Sequence, residues 1–139
     1  MISRNVADGY LVRLDRNEEV ISTLTSFIIE SDISSGIIQG IGAIHNIEIG
    51  YFDVPQKQYI RHVFDNTYEV ISLNGNISRL DNKPFVHLHV AIADEHHQLF
   101  GGHLFKASVA VTLELYIKTF DCTIERKPDK DFGFNFWHL

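Results

Sequence analysis

A chain of 139 residues, 45% hydrophobic and 12% aromatic, is enough for one hydrophobic core and predicts a single soluble domain over residues 1–139. Its one cysteine, Cys122, excludes an intrachain disulfide and a four-cysteine zinc site, so any metal must be held by His, Asp or Glu. The net charge is −6 with neutral histidines and the twelve Lys and Arg are scattered, which argues against direct DNA binding, because phosphate contacts need clustered cations.

The start, MISRNVADGYLVRLD, has no apolar run behind a basic segment, and no 18-residue apolar stretch follows. A cytoplasmic location without membrane contact is the expectation. Tyr10 to Leu14 reads as a short strand that stops at Asp15. Asp15, with Glu18 three residues on, resembles a capping box. Val20, Ile21, Leu24, Phe27 and Ile28 then recur at helical spacing, which predicts a core-packing helix over about residues 16 to 31.

After SDISSG the pattern turns to strands. GIIQGIGAIHNIEIGYFD reads as two strands joined through Gly40 to Ala43. KQYIRHVF, TYEVISLNGNIS, PFVHLHVAIAD, QLFGGHLF, SVAVTLELYIK and CTIERK are further strand-length runs separated by polar or Gly-containing turns. One helix and seven or eight strands predict an α+β fold with a mostly antiparallel sheet and its main helix near the N-terminus. The tail places Phe132, Phe134 and Phe136 at alternate positions before Trp137, as an extended strand would that packs on the domain or on a neighbouring subunit.

The stretch FVHLHVAIADEHHQLFGGHL carries the chemistry. Alternation along a strand projects His87 and His89 from one face, about 7 Å apart at Cα, and an antiparallel return brings His103 beside them. Three imidazole nitrogens meeting at about 2.0 to 2.1 Å from one ion leave a further position open. Such a set suits a divalent metal, with zinc expected, although nickel, iron and copper accept the same donors. Gly101 and Gly102 permit a bulge or close backbone approach next to His103. His96 and His97 fall in the turn and are not counted as ligands.

Glu114 lies in an apolar strand and is the one candidate acid or base, with an ordinary solvent-facing residue as the plainer reading. His45 and Glu48 stand in a similar position. Cys122 has no activating neighbours and reads as a small core residue. No nucleophile elbow, P-loop or dinucleotide fingerprint occurs.

GIGAIHNIEIGYFD, YEVISLNGNIS, PFVHLHVAIAD and FGGHL, in that order, resemble the bacterial and archaeal form of the plant-and-prokaryote conserved (PPC) domain over nearly the whole chain. The resemblance implies a homotrimer with a metal ion on the two His of HLH and the His of GGHL, here His87, His89 and His103. Plant relatives carry an AT-hook ahead of the domain, and stand-alone members are commonly labelled candidate DNA-binding proteins. The hook's Arg-Gly-Arg-Pro element is absent from this sequence. The expected role is a metal-binding assembly domain, with transcriptional or nucleoid proteins as the expected partners. The fold group is also similar to acetolactate decarboxylase, which gives the alternative of a zinc-dependent lyase or hydrolase acting on a small oxygen-rich substrate, though fold alone does not transmit a reaction.

Overall fold

The computed structural model describes residues 1–139 as nine strands and one helix. In chain order these are β1 (Ile2–Val6), β2 (Gly9–Asp15), α1 (Val20–Glu30), β3 (Gly36–Asp53), β4 (Gln58–Phe64), β5 (Tyr68–Leu80), β6 (Lys83–Ala93), β7 (Leu99–Thr119), β8 (Glu125–Pro128) and β9 (Asn135–His138). All strand pairings are antiparallel except the single contact of Arg79 on β5 with Glu125 on β8. No helix is long and apolar enough to cross a membrane.

The sheet closes on itself. β3 pairs with β5, β5 with β6, β6 with β7, and β7 again with β3. The β1–β2 hairpin extends the sheet beyond the carboxyl half of β7, β4 lies along the second half of β3, and β8 with β9 attaches beyond β5. Inside, Ile38, Ile44, Leu73, Ile77, Leu88, Ile92 and Leu113 are buried in one continuous core. The helix adds Val20, Leu24, Phe27 and Ile28, whose spacing forms a single stripe against that core.

The helix begins at Val20, not near residue 16, and its cap is Glu19, whose carboxylate accepts from the Ser22 N–H at 2.7 Å. Asp15 does not cap it. Its carboxylate pairs with Arg13 at 2.9 Å and the Met1 ammonium at 3.1 Å, and only the Glu18 half of the anticipated box survives, accepting from the Asp15 N–H at 2.7 Å. The physical reason is that β7 captures the intervening backbone. Asn17 N–H donates to the Val109 carbonyl at 2.9 Å and Val109 N–H to the Glu18 carbonyl at 3.0 Å, with Asn17 at φ 70°. At the other end Asp32 takes φ 50°, its N–H bonds Ile29 O and the Ile33 N–H bonds Ile28 O, a Schellman closure with Asp in the place glycine usually fills.

Two anticipated breaks are absent. Gly40 to Ala43 does not divide β3, because β5 and β7 pair along both of its edges and the surplus residues are absorbed as register shifts between Gly40 and Gly42 and between Gly42 and Ile44. QLFGGHLF and SVAVTLELYIK are likewise one strand, since β7 pairs with β3 across the supposed boundary, Glu48 with Lys106 and His45 with Ser108. Residues 2–6, to which the sequence reading assigns no element, form β1 as the partner of β2. Cys122 is exposed instead of in the core, and the buried neighbour that takes that place is Ile124.

Candidate metal centre

His87 and His89 come from the middle of β6 and His103 from the start of β7. Strand alternation puts the first two on one face, and the antiparallel register sets His89 directly opposite His103. The ring centroids are 5.0 to 5.4 Å apart, His87 Nε2 lies 3.1 Å from His103 Nδ1, and one nitrogen of each ring falls within 4.8 Å of the others. Donors on a tetrahedral zinc at about 2.0 to 2.1 Å are roughly 3.3 Å apart, so the triad needs only a small closure to accept one.

The Gly101-Gly102 pair acts through close approach. A Cβ at Gly102 would stand 2.6 Å from the Gly50 carbonyl oxygen, and one at Gly101 would stand 2.8 Å from that of Val90. The β6–β7 register runs unbroken from His89–His103 to Ala93–Leu99, so the pair makes no bulge with β6.

The electrostatics favour neutral rings. Burial pushes His87 down to about 4, helped by the neighbouring His103, His89 and Arg126, and pushes His103 down to about 4, helped by His89 and Arg61. Burial also lowers His89. Near neutral pH all three rings therefore keep a free lone pair, the state a metal requires.

Around the triad the walls are aromatic. Tyr59 and Phe105 lie 5.2 and 4.5 Å from the His103 ring, and Phe134 of the tail rests on Tyr59 and Phe52 at 5.7 and 4.3 Å. The histidines open into a cavity of about 280 Å³ whose lining includes Phe85, the neighbour of His87 on one face of β6, and Phe134 and Phe136 of the tail. Arg126 of β8 enters the same cavity and stacks on Phe85, 4.6 Å from its centroid.

The other candidates are elsewhere. Glu114 is exposed on the outer sheet face, opposite Arg13 and Ile41 in register, and lines a different depression from the one at the histidines. Glu48 pairs with Arg61 at 2.9 Å, and His45 faces Ser108 across the ladder. His96 and His97 are exposed in the β6–β7 turn, where Asp94 accepts from the N–H groups of His96 and Gln98 at 2.9 and 2.8 Å. Arg126, Tyr59 and Asn135 have no signature in the sequence. They reach the cavity only because β4 pairs with β3, β8 with β5 and β9 with β8, long-range pairings that local pattern does not encode. The alternating Phe of the tail were the one available signal.

Comparison with known proteins follows the same lines. The Plants and Prokaryotes Conserved (PCC) domain family matches residues 1–121. A solved structure from Bacteroides thetaiotaomicron, named a candidate DNA-binding protein, superposes with a TM-score of 0.95 at 28% identity, covering 99% of this chain and 96% of that one. A plant- and prokaryote-conserved protein from Pyrococcus horikoshii is 37% identical over 99% of this chain and 95% of its own, with a TM-score of 0.87. A protein from Archaeoglobus fulgidus, named as metal-containing, is 31% identical over 100% of this chain and 99% of its own, with a TM-score of 0.88. More distantly, α-acetolactate decarboxylase from Bacillus subtilis has a TM-score of 0.58 at 18% identity, and this chain spans 57% of its length, a likeness of fold alone. No curated protein matches the chain.

Proposed function

Since this chain belongs to the Plants and Prokaryotes Conserved domain family, we propose that it is a metal-binding assembly domain, a homotrimer in which each subunit holds one zinc ion on His87, His89 and His103. The observation that carries the reading is the convergence of three neutral imidazoles within 4.8 Å. The metal-containing relative from A. fulgidus supports it. Assembly is supported by the outer sheet face, where Ile2, Leu11, Ile41 and Ile71, each about half exposed, line one shallow depression. A contiguous apolar patch on a small protein usually marks a contact surface, and cyclic assembly is the economical way to cover it.

The candidate DNA-binding names of its relatives fit a role beside transcriptional or nucleoid proteins better than direct contact with the duplex, given the net charge of −6. Elemental analysis with light scattering tests the proposal. One zinc per subunit in a particle of three subunits is the expected result, and a metal-free monomer at micromolar concentration overturns it. A duplex retained with steep salt dependence would return DNA to the first place.

One observation favours a second reading, a zinc-dependent enzyme acting on a small oxygen-rich substrate. The triad is not sealed in the core but opens into the 280 Å³ cavity, as a catalytic ion requires and a structural one does not. The bound metal would supply Lewis-acid polarisation of an oxygen. The chain itself supplies the aromatic walls that restrict water and the Arg126 charge beside the site. Glu114, the one acid or base suggested by the sequence, stands on another face, so this reading has no proton carrier from that residue.

A further inference from the structure

The charges around the triad do not balance. None of the ten residues lining the cavity is Asp or Glu, although the protein as a whole is acidic. The cation among them, Arg126, is half-buried and has no carboxylate partner, whereas Arg61 is neutralised by Glu48 at 2.9 Å and Arg13 by Asp15 at 2.9 Å. Arg126 is instead held in place by neutral acceptors. Its Nε donates to Ser78 Oγ at 2.7 Å, Nη1 to the Asn135 carbonyl at 2.7 Å and Nη2 to Asn76 Oδ1 at 2.9 Å, while His87 Nδ1 lies 3.5 Å from Nη2. A guanidinium has five N–H groups, so three good bonds fix its plane and leave donors over. Its face is packed on Phe85, which holds the fork rigid.

A positively charged group partly withdrawn from water without a counter-ion carries a cost, and a divalent ion on three neutral ligands beside it would raise that cost. We propose that the cavity is a receptor for a small organic carboxylate with an apolar body, its carboxylate drawn to the free edge of Arg126 and the triad ion and its body lying between Phe85, Phe134 and Phe136. The inference rests on the reading of His87, His89 and His103 as metal ligands. Carboxylate is favoured over phosphate because the site offers one planar fork and aromatic walls. It has no second Arg or Lys and no helix N-terminus, the usual furniture of a phosphate site. The volume of about 280 Å³ lies below that of most drug-sized pockets and sets the ligand at the scale of a single ring or short chain.

The experiment is calorimetry on the zinc-loaded protein with benzoate, its neutral isostere benzamide and inorganic phosphate as probes. Benzoate is expected to bind, benzamide and phosphate to bind at least tenfold more weakly, and Arg126→Gln to weaken benzoate about tenfold while still taking up one zinc. Arg126 ties β8 to β5 and β9, so Arg126→Gln could be unstable; the comparison of benzoate with benzamide on the unaltered protein needs no variant. Stoichiometric zinc without a benzoate response, or equal binding of benzoate and benzamide, overturns the carboxylate assignment and leaves the metal site standing. Phosphate binding more tightly than benzoate also overturns it. Failure to take up zinc overturns the metal reading and this inference together.

Discussion

His89 and His103 face one another directly across the β6–β7 ladder, with ring centroids 5.4 Å apart and nearly perpendicular planes. Two imidazoles on opposed strands are held by the backbone register itself, and His87, two residues along β6, completes the set from the same face. The donors are thus placed by hydrogen-bonded sheet and owe little to flexible loops.

If the triad holds an ion as proposed, removing one donor should release it without collapsing the fold. His103→Ala is expected to lower zinc affinity by roughly 100-fold or more, since even outer partners of a metal site cost 10- to 100-fold. Competition with a chromogenic chelator measures it. In the unaltered protein zinc at about 100 times its Kd should add about 2.7 kcal/mol to stability, and His103→Ala should lose that increment.

Acid should destabilise the metal-free protein earlier than its carboxylates alone would. His87 and His103 are depressed to about 4 in the fold from an ordinary value of 6.5, so between those values the unfolded chain binds more protons than the native one. Stability is then fully present above pH 6.5 and declines as pH falls toward 4. Urea midpoints taken across that window should slope accordingly, and the slope should flatten in His87→Ala. A flat profile in the unaltered protein would contradict the depressed values.

Gly102→Ala is expected to cost about 1 to 3 kcal/mol, the usual range for overpacking. The new methyl would meet the Gly50 carbonyl at 2.6 Å, and backbone on both strands must move to admit it. Because His103 is the next residue, zinc affinity should fall with stability. Denaturant unfolding and chelator competition report the two effects separately.

Ile41→Asp should act on association alone. Ile41 is 59% exposed on the outer face and does not line the histidine cavity, so if the protein assembles as proposed the change should yield a smaller particle in light scattering while zinc uptake persists. Glu114→Gln, on the same face, should likewise leave zinc uptake unchanged.

Much of this architecture is legible in the sequence because its signals are local. The helical stripe from Val20 to Ile28 and the His87-X-His89 alternation need only the period of one element. The same local logic misreads Gly40 to Ala43 and the junction before Ser108 as turns, because continuity there is imposed by neighbours on both edges. Asp15 looks like a cap until Val109, far along the chain, binds the backbone that would have begun the helix. Arg126 is invisible for a similar reason. Its importance comes from what it lacks, a carboxylate partner, and that is a property of the folded surroundings.

The pairing of β2 with β7 joins Gly9 to Lys118 and Asp15 to Thr112. During synthesis the β1–β2 hairpin must wait, one ladder edge unpaired, until residues 112–118 have left the ribosome. Contacts so distant in sequence slow folding toward the millisecond-to-second range, and an open edge is a template for mispairing with other chains. This domain should accordingly refold best at low protein concentration.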